Sequence, residues 1–179
     1  MKTTQILIAG FGGQGILFAG KFLAYKGLME DLQVSWLPSY GPEMRGGTAN
    51  CNVILSESPV GSPIVTAPDV LIAMNLPSLQ KYVNTVVPGG QIYLDSSLIG
   101  ATVERSDVEV FPIPATQMAK DNSIGSLANM IIIGHLLENH PELTFNGTRE
   151  VVSGLVPPAK AALVELNMKA LELGKEYQP

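Results

Sequence analysis

The stretch QILIAGFGGQGILFAGKFLA, Gln5 to Ala24, admits few local structures. Gln5 to Gly10 is a short apolar run that stops at glycines, the pattern of a buried parallel strand. From Ile16 on, Phe18, Ala19, Phe22, Leu23 and Ala24 fit a helix that reaches Gly27. Between the two stands Gly10-Phe11-Gly12-Gly13-Gln14-Gly15, which fits G-x-G-x-x-G. Glycines there permit a tight turn and let a phosphate approach backbone N–H groups, to which the helix N-terminus adds its dipole. A strand joined to a helix by so short a turn points to an α/β fold.

The rest of the chain repeats the alternation. LQVSWLP reads as a second strand ended by Pro38. ANCNVIL alternates and reads as a third, antiparallel or at an edge. VLIAM, Val70 to Met74, is a buried strand, followed by a helix in NLPSLQKYVNTV with Pro77 near its first turn. QIYLD, ending at Asp95, and VEVFPIP, broken by two prolines, complete the strands. Ile124 to Leu137 is a helix apolar nearly all round, hence buried on more than one side. A C-terminal helix begins at prolines, and Leu163, Leu166, Ala170 and Leu173 are spaced to share one face. The expected architecture is a three-layer, Rossmann-like α/β fold. It has a mostly parallel sheet, helices on both faces, and residues 1–179 in a single domain.

The glycine loop lacks two companions. A dinucleotide site needs an Asp or Glu at the end of the second strand to hold the ribose. That end offers Trp36, Leu37 and Ser39, while Glu30 and Asp31 lie before the strand. No Gly-Lys-Ser/Thr follows either, so the P-loop pattern fails. The glycines then serve a phosphate of another kind or only a tight turn. Ligands of parallel sheets bind beyond the carboxyl ends of the strands. Gln14, Ser39, Tyr40, Asn75, Asp95, Ser96 and Ser97 all fall there, either around one crevice or, for Asn75 and Ser97, as caps of turns and helices.

Other chemistries have little support. The net charge is −5, with no Lys/Arg stripe, which argues against nucleic acid. No apolar run is long enough to span a membrane, and the N-terminus reads as a strand without a signal peptide. Cys51 is the one cysteine, so no cysteine cluster exists for zinc or iron–sulfur; a cytoplasmic location is expected. Cys51 itself reads as a small buried residue. His135 reads as a packed or interface histidine in the apolar helix rather than a base, and His140 as a helix end before Pro141. Asn129, in the same helix, needs a partner if buried, internal or from another subunit. Asp107 and Glu109 read as a solvated strand face, and no serine sits in a G-x-S-x-G elbow.

SYGPEMRGGTANCNVIL, Ser39 to Leu55, is more specific than a connector requires. Glu43 and Arg45 are able to pair, but an exposed pair is worth at most about 1 kcal/mol. Gly46 and Gly47 permit tight curvature or close approach by a partner. This segment, with GFGGQGILFAGKFLA, SPIVTAPDVLIAMN, PGGQIYLDSSLI, IPATQMA, ANMIIIG and LVELNMKALELG, resembles the gamma subunit, or gamma domain, of 2-oxoacid:ferredoxin oxidoreductases. The likeness runs in order over nearly the whole chain. It is strongest to the 2-oxoglutarate and branched-chain types, with 2-oxoglutarate favoured.

The resemblance implies a multi-subunit enzyme that decarboxylates a 2-oxoacid, passes electrons through iron–sulfur clusters to ferredoxin and releases an acyl-CoA. It implies thiamine diphosphate and magnesium between alpha and beta subunits, and clusters in beta or a small delta subunit. This chain then binds none of these firmly and carries no catalytic residue. The gamma role implied is contact with coenzyme A and closure over the active site. Gly12, Gly13, Gln14, Ser39, Tyr40, Glu43, Arg45, Gly46, Gly47 and Thr48 fall on the family's motif positions. Gly12, Gly13, Gln14, Gly15 and Arg45 are the candidates for coenzyme A or its phosphates. Ser39, Tyr40, Glu43, Arg45, Gly46, Gly47, Thr48 and Asn75 are the candidates for the partner-facing loop. Alternatives are a stand-alone nucleotide-binding protein using GFGGQG, or a scaffold whose glycines are only turns. Self-association of an isolated chain, through the apolar helix at 124–137 and the C-terminal helix, is a further expectation.

Overall fold

A computed structural model describes residues 3–39 and 49–179. The strands are β1 (Thr3–Gly10), β2 (Gln33–Ser39), β3 (Ala49–Ser56), β4 (Val70–Ala73), β5 (Gln91–Asp95) and β6 (Glu109–Ile113). The helices are α1 (Ile16–Met29), α2 (Leu76–Tyr82), α3 (Ala115–Asp121), α4 (Ala128–Asn139), α5 (Thr148–Leu155) and α6 (Ala162–Glu176). Short 3₁₀ turns occupy Val83–Thr85 and Pro158–Lys160. The strands form one six-stranded sheet in the order β2-β3-β1-β4-β5-β6. The pairs β1–β4, β4–β5 and β5–β6 are parallel, while β3 runs antiparallel to both β1 and β2. The fold is therefore α/β and Rossmann-like, with one reversed strand wedged in.

Several expectations need correction. Pro38 does not end β2; it lies within the strand, opposite Cys51. Proline is tolerated there because β2 is the outermost strand and its free side needs no N–H donor. Pro112 likewise sits inside β6, the strand at the opposite border. β3 is antiparallel as expected but interior, with seven of its eight residues buried and the other half-buried. The alternation in ANCNVIL is compatible with an edge strand, which this one is not. The asparagines are instead satisfied inside, Asn52 Oδ1 accepting from Val65 N at 3.3 Å and Asn50 Nδ2 donating to the Tyr82 hydroxyl at 3.2 Å.

The two sheet faces are covered unequally. One carries Ile6, Ile8, Cys51, Val53, Leu55, Val70, Ile72 and Tyr93 beneath residues of α1, α3, α4, α5 and α6. The other carries Leu7, Leu71, Ala73, Ile92 and Leu94 beneath Leu79 of α2, Val86 and Ile99. Helix α4 begins at Ala128, four residues later than its apolar run, because Ser123 (φ 53°) and Gly125 (φ 64°) turn the chain first. Ala128 to Leu137 are all buried, so this helix is covered by its own chain and is not a free docking face. The buried side of α6 is Asn167, Met168, Ala170, Leu171 and Gly174, whereas Leu163 and Leu166 are exposed. The register of α6 follows α4, which it meets at Gly134 and Gly174.

Two buried titratable groups are structural. His135 is edge-on to Tyr93, Phe111 and Tyr177. Asn139 approaches its Nδ1 at 3.2 Å, and burial holds its pKa below the ordinary histidine value, opposed by a backbone hydrogen bond at Gly174. It is a packed aromatic, as expected. Cys51 is fully buried, and burial pushes its thiol up to about 12, partly offset by the Trp36 side chain. A pKa raised from 9.0 in this way leaves stability untouched below pH 9 and costs stability as pH rises through about 12. The thiolate is the reactive form. A chromogenic thiol reagent at pH 8 is therefore expected to leave the folded chain unlabelled and to titrate one thiol after denaturation.

Candidate functional site

The glycine loop sits where the sheet changes direction of winding. From β1 the chain turns onto the face that carries α1, and from β4 onto the face that carries α2. Between these neighbouring strand ends lies the crevice that open α/β sheets use for ligands. Gly13 (φ 90°) and Gly15 (φ 73°) hold left-handed backbone, which costs an ordinary residue roughly 1–2 kcal/mol. A Cβ on Gly10 would lie 2.6 Å from both Gln14 Oε1 and Ile16 Cδ1, so the start of the loop needs glycine for space.

Gln14 is the clasp of this loop. Its Oε1 accepts from Phe11 N at 2.6 Å and from Asn75 Nδ2 at 3.3 Å. Its Nε2 donates to the Met74 carbonyl at 2.9 Å. Asn75, only 3% exposed, also caps α2, its Oδ1 accepting from Ser78 N at 2.8 Å. One glutamine and one asparagine thus tie the end of β1 to the end of β4. Both side-chain amides are engaged within the chain, so what they offer a ligand is the loop they shape.

Helix α1 starts at Ile16 with Gly15 as its cap and no side-chain hydrogen bond there. The first-turn N–H groups of such a helix are its unpaired donors and carry the positive end of the dipole. Beneath Gly15 lies Asn129 of α4, whose Nδ2 donates to the Gly15 carbonyl at 3.1 Å. Asn129 is 3% exposed, and its Oδ1 has no hydrogen-bond partner among the described residues. A cavity of about 230 Å³ adjoins the loop, lined by Met74, Leu98, Thr116, Ala119, Gly125, Ser126 and Ala128 besides Gly13 and Gln14. No charged side chain is in that lining.

The remaining strand-end residues divide. Asp95 accepts from Ser97 N at 3.0 Å and from Thr116 N at 3.2 Å, and Ser97 Oγ accepts from Gln117 N at 3.0 Å. These groups stitch β5 to α3; among the two readings of Ser97 and Asn75, capping is what their bonds do. Ser39 is exposed at the end of β2, opposite Asn50, one pair away from the Gly10–Ala49 pair. Both flanks of segment 40–48 therefore stand at the glycine-loop border. Tyr40, Glu43, Arg45, Gly46, Gly47 and Thr48 lie outside the described residues. Asn129 was legible only as a polar group in need of a partner; its place under Gly15 was not, because it is 114 residues away in sequence.

The topology also explains the missing ribose acid. In a dinucleotide-binding sheet the strand beside β1 is parallel and ends in the acidic residue. Here that slot holds β3, which runs the other way and brings Ala49 and Asn50 to this border. Among the described residues no group of three His, Cys, Asp or Glu side chains is arranged to hold a metal, and no helix is long and apolar enough to cross a membrane.

The pyruvate ferredoxin/flavodoxin oxidoreductase family matches residues 5–177. The ketoisovalerate oxidoreductase subunit VorA of Methanothermobacter thermautotrophicus is 37% identical over 174 residues, covering 97% of this chain and 36% of its own length. The chain thus spans little more than a third of that relative. The 2-oxoglutarate synthase subunit KorC of Methanothermobacter marburgensis is 34% identical over 179 residues, covering 96% of this chain and 95% of KorC. Among solved structures, the gamma subunit of a keto/oxoacid ferredoxin oxidoreductase from Geobacter sulfurreducens superposes with TM-score 0.81 at 28% identity, over 97% and 96% of the two chains. The 2-oxoglutarate:ferredoxin oxidoreductase of Magnetococcus marinus, with 2-oxoglutarate, coenzyme A and succinyl-CoA bound, gives TM-score 0.87 at 27% identity, over 98% of this chain and 31% of that one. With a family match from residue 5 to residue 177 and the fold in agreement, the chain belongs to the pyruvate ferredoxin/flavodoxin oxidoreductase family.

Proposed function

We propose that this chain is the gamma subunit of a multi-subunit 2-oxoacid:ferredoxin oxidoreductase and supplies the coenzyme A side of its acyl-transfer site. The complex oxidatively decarboxylates a 2-oxoacid, reduces ferredoxin and releases carbon dioxide and an acyl-CoA in the cytoplasm. Thiamine diphosphate, magnesium and the iron–sulfur clusters belong to the alpha, beta and delta partners; a chain with one cysteine has no ligand set for a cluster. What supports the reading is one juxtaposition. The glycine loop, an uncapped helix start and both flanks of segment 40–48 share one border of the sheet. That border offers donors for phosphate, while no charged side chain and no histidine or cysteine lines the adjoining cavity.

In this reading Gly12, Gly13 and Gly15 let a phosphate approach, Gln14 and Asn75 hold the loop, and Arg45 adds a charge-assisted contact. Ser39, Tyr40, Glu43, Gly46, Gly47 and Thr48 face the partner subunits. 2-Oxoglutarate is the favoured substrate, and branched-chain 2-oxoacids are the alternative that similarity to VorA supports. Affinity purification of the tagged chain from its source is expected to recover alpha and beta subunits. The complex lacking it is expected to lose 2-oxoacid-dependent acyl-CoA formation, and the chain alone to have none. Recovery of no partner, or full activity without the chain, overturns the reading. In the complete enzyme, Arg45→Ala is expected to raise the KM for coenzyme A about tenfold or more, the worth of one charge-assisted contact, with the subunits still assembled. Unchanged coenzyme A kinetics would favour a scaffold instead.

A further inference from the structure

At the sheet border farthest from β2, a cavity of about 440 Å³ opens between β6 and the C-terminal ends of α4 and α6. Phe111, His135 and Tyr177 give it an aromatic wall, and Glu138, Asn139 and Lys175 are among its polar members. The wall is built in advance. Phe111 stacks on Tyr93 at 4.7 Å, and His135 stands edge-on to Phe111 and to Tyr177, whose ring centre is 5.5 Å away. Asn139 Nδ2 lies 3.2 Å from His135 Nδ1 and fixes the imidazole. The volume falls within the roughly 300–1,000 Å³ of small-molecule pockets, which join apolar walls to a few polar groups.

Two features decide what this cavity takes. The first is the edge of β6. Glu109 N donates to Gly90 O and Ile113 O accepts from Ser96 N, so the odd-numbered residues bond to β5 and Pro112 faces the free side. Proline has no N–H to give an added strand, which disfavours a strand partner there and favours a small molecule. The second feature is charge. Glu138 and Lys175, both exposed, bring the two signs to one cavity. Glu138 is in no ion pair among the described residues. Lys175 rests its ammonium 4.8 Å from the centre of the Phe145 ring, a weak contact at an exposed site that a carboxylate would displace. A larger cavity of about 610 Å³ beside Gly89 and Gly90 holds Asp69, Asp107 and Glu109 but no lysine or arginine, so it lacks this pairing of signs.

We propose that the cavity between β6, α4 and α6 is a site for a free α-amino acid with an apolar side chain. Lys175 takes the carboxylate, Glu138 takes the ammonium, and the side chain lies against Phe111, His135 and Tyr177. A lining with one charge of each sign beside an aromatic wall complements a zwitterion with a hydrocarbon arm. The site shares no residue with the glycine loop and stands independently of the coenzyme A reading.

The test titrates the full chain with L-phenylalanine by isothermal calorimetry. L-Leucine serves as the aliphatic probe, and phenylacetate and phenethylamine each lack one of the two charges. L-Phenylalanine is expected to bind at a single site, and each single-charge probe about tenfold more weakly or worse, the loss of one charge-assisted contact. Glu138→Gln is expected to weaken L-phenylalanine about tenfold and to leave phenylacetate unchanged. Lys175→Gln is expected to weaken it likewise and to leave phenethylamine unchanged. Both positions are exposed, so both variants are expected to melt with the wild type. Tyr177→Ala, which removes part of the wall, is expected to weaken all the aromatic probes. If neither amino acid binds, the site is overturned. Phenylacetate binding as tightly as L-phenylalanine, or charge variants that bind L-phenylalanine as the wild type does, overturns it as well.

Discussion

Gly134→Ala is expected to destabilise the protein by about 3 kcal/mol, near the top of the range for overpacking, and to lower its melting temperature by roughly 10 °C. On helix propensity alone the sign is the reverse, since alanine is better than glycine in a helix interior by about 1 kcal/mol. Packing decides. A Cβ at Gly134 would fall inside the shell of the Leu171 carbonyl oxygen of α6. A Cβ at Gly174 would fall inside that of the Ile131 carbonyl oxygen of α4. The two glycines let the backbones of these helices touch, and a backbone cannot rotate aside as a side chain does. Gly174→Ala is expected to cost as much, and the double variant less than the sum, because separating the helices once relieves both clashes. Chemical denaturation of the three variants measures this. A melting temperature at or above wild type for Gly134→Ala would mean the helices stand apart.

The second large effect is at Gly15. Gly15→Ala places a side chain in left-handed backbone at φ 73° and against Asn129. The backbone alone costs about 1–2 kcal/mol, and the contact adds to it by moving the helix start or the asparagine. On the coenzyme A role proposed above, the KM for coenzyme A in the complete enzyme is expected to rise tenfold or more, taking about 1.4 kcal/mol of that displacement as lost phosphate binding. Gly13→Ala is the comparison. Its φ of 90° carries a similar backbone cost, but a Cβ there meets nothing within 4 Å. Both positions share the backbone cost and the hindered approach of a phosphate, so a larger effect at Gly15 is what the contact with Asn129 adds. Equal effects would show that loop conformation matters and the asparagine beneath it does not.

Much of this arrangement was legible in the chain. Apolar runs ended by glycine marked β1, and the spacing of Ala19, Phe22 and Leu23 marked the buried side of α1. Such patterns are local, so a single stretch carries them. Strand order is not local. Nothing in ANCNVIL says that it lies between β1 and β2, because its asparagines look solvated until Val65 and Tyr82 are brought to them. The face of α6 was misjudged for the same reason. The spacing pointed to Leu163, Leu166, Ala170 and Leu173; the partner helix kept Ala170 and Leu173 but turned the buried side toward Met168, Leu171 and Gly174, leaving Leu163 and Leu166 exposed. At the site, Gln14 was visible as a polar residue after a strand, while its grip on Met74 and Asn75 spans 60 and 61 positions. Gly134 and Gly174 left a faint sign, since an isolated glycine in a helix often has a packing reason.

The reversed strand has a mechanical consequence. Gly10 is paired with Ala49, and Asn50 with Ser39, so β1, β3 and β2 meet the glycine-loop border as consecutive rungs of one ladder. The two anchors of segment 40–48 and the first residue of the glycine loop are thereby fastened to a common plate. Neither can be displaced without bending three hydrogen-bonded strands, one of which is buried along its length. A force applied to one is passed to the other as a rotation of the whole plate. On the role proposed above, any closing of the subunit turns this plate as one body.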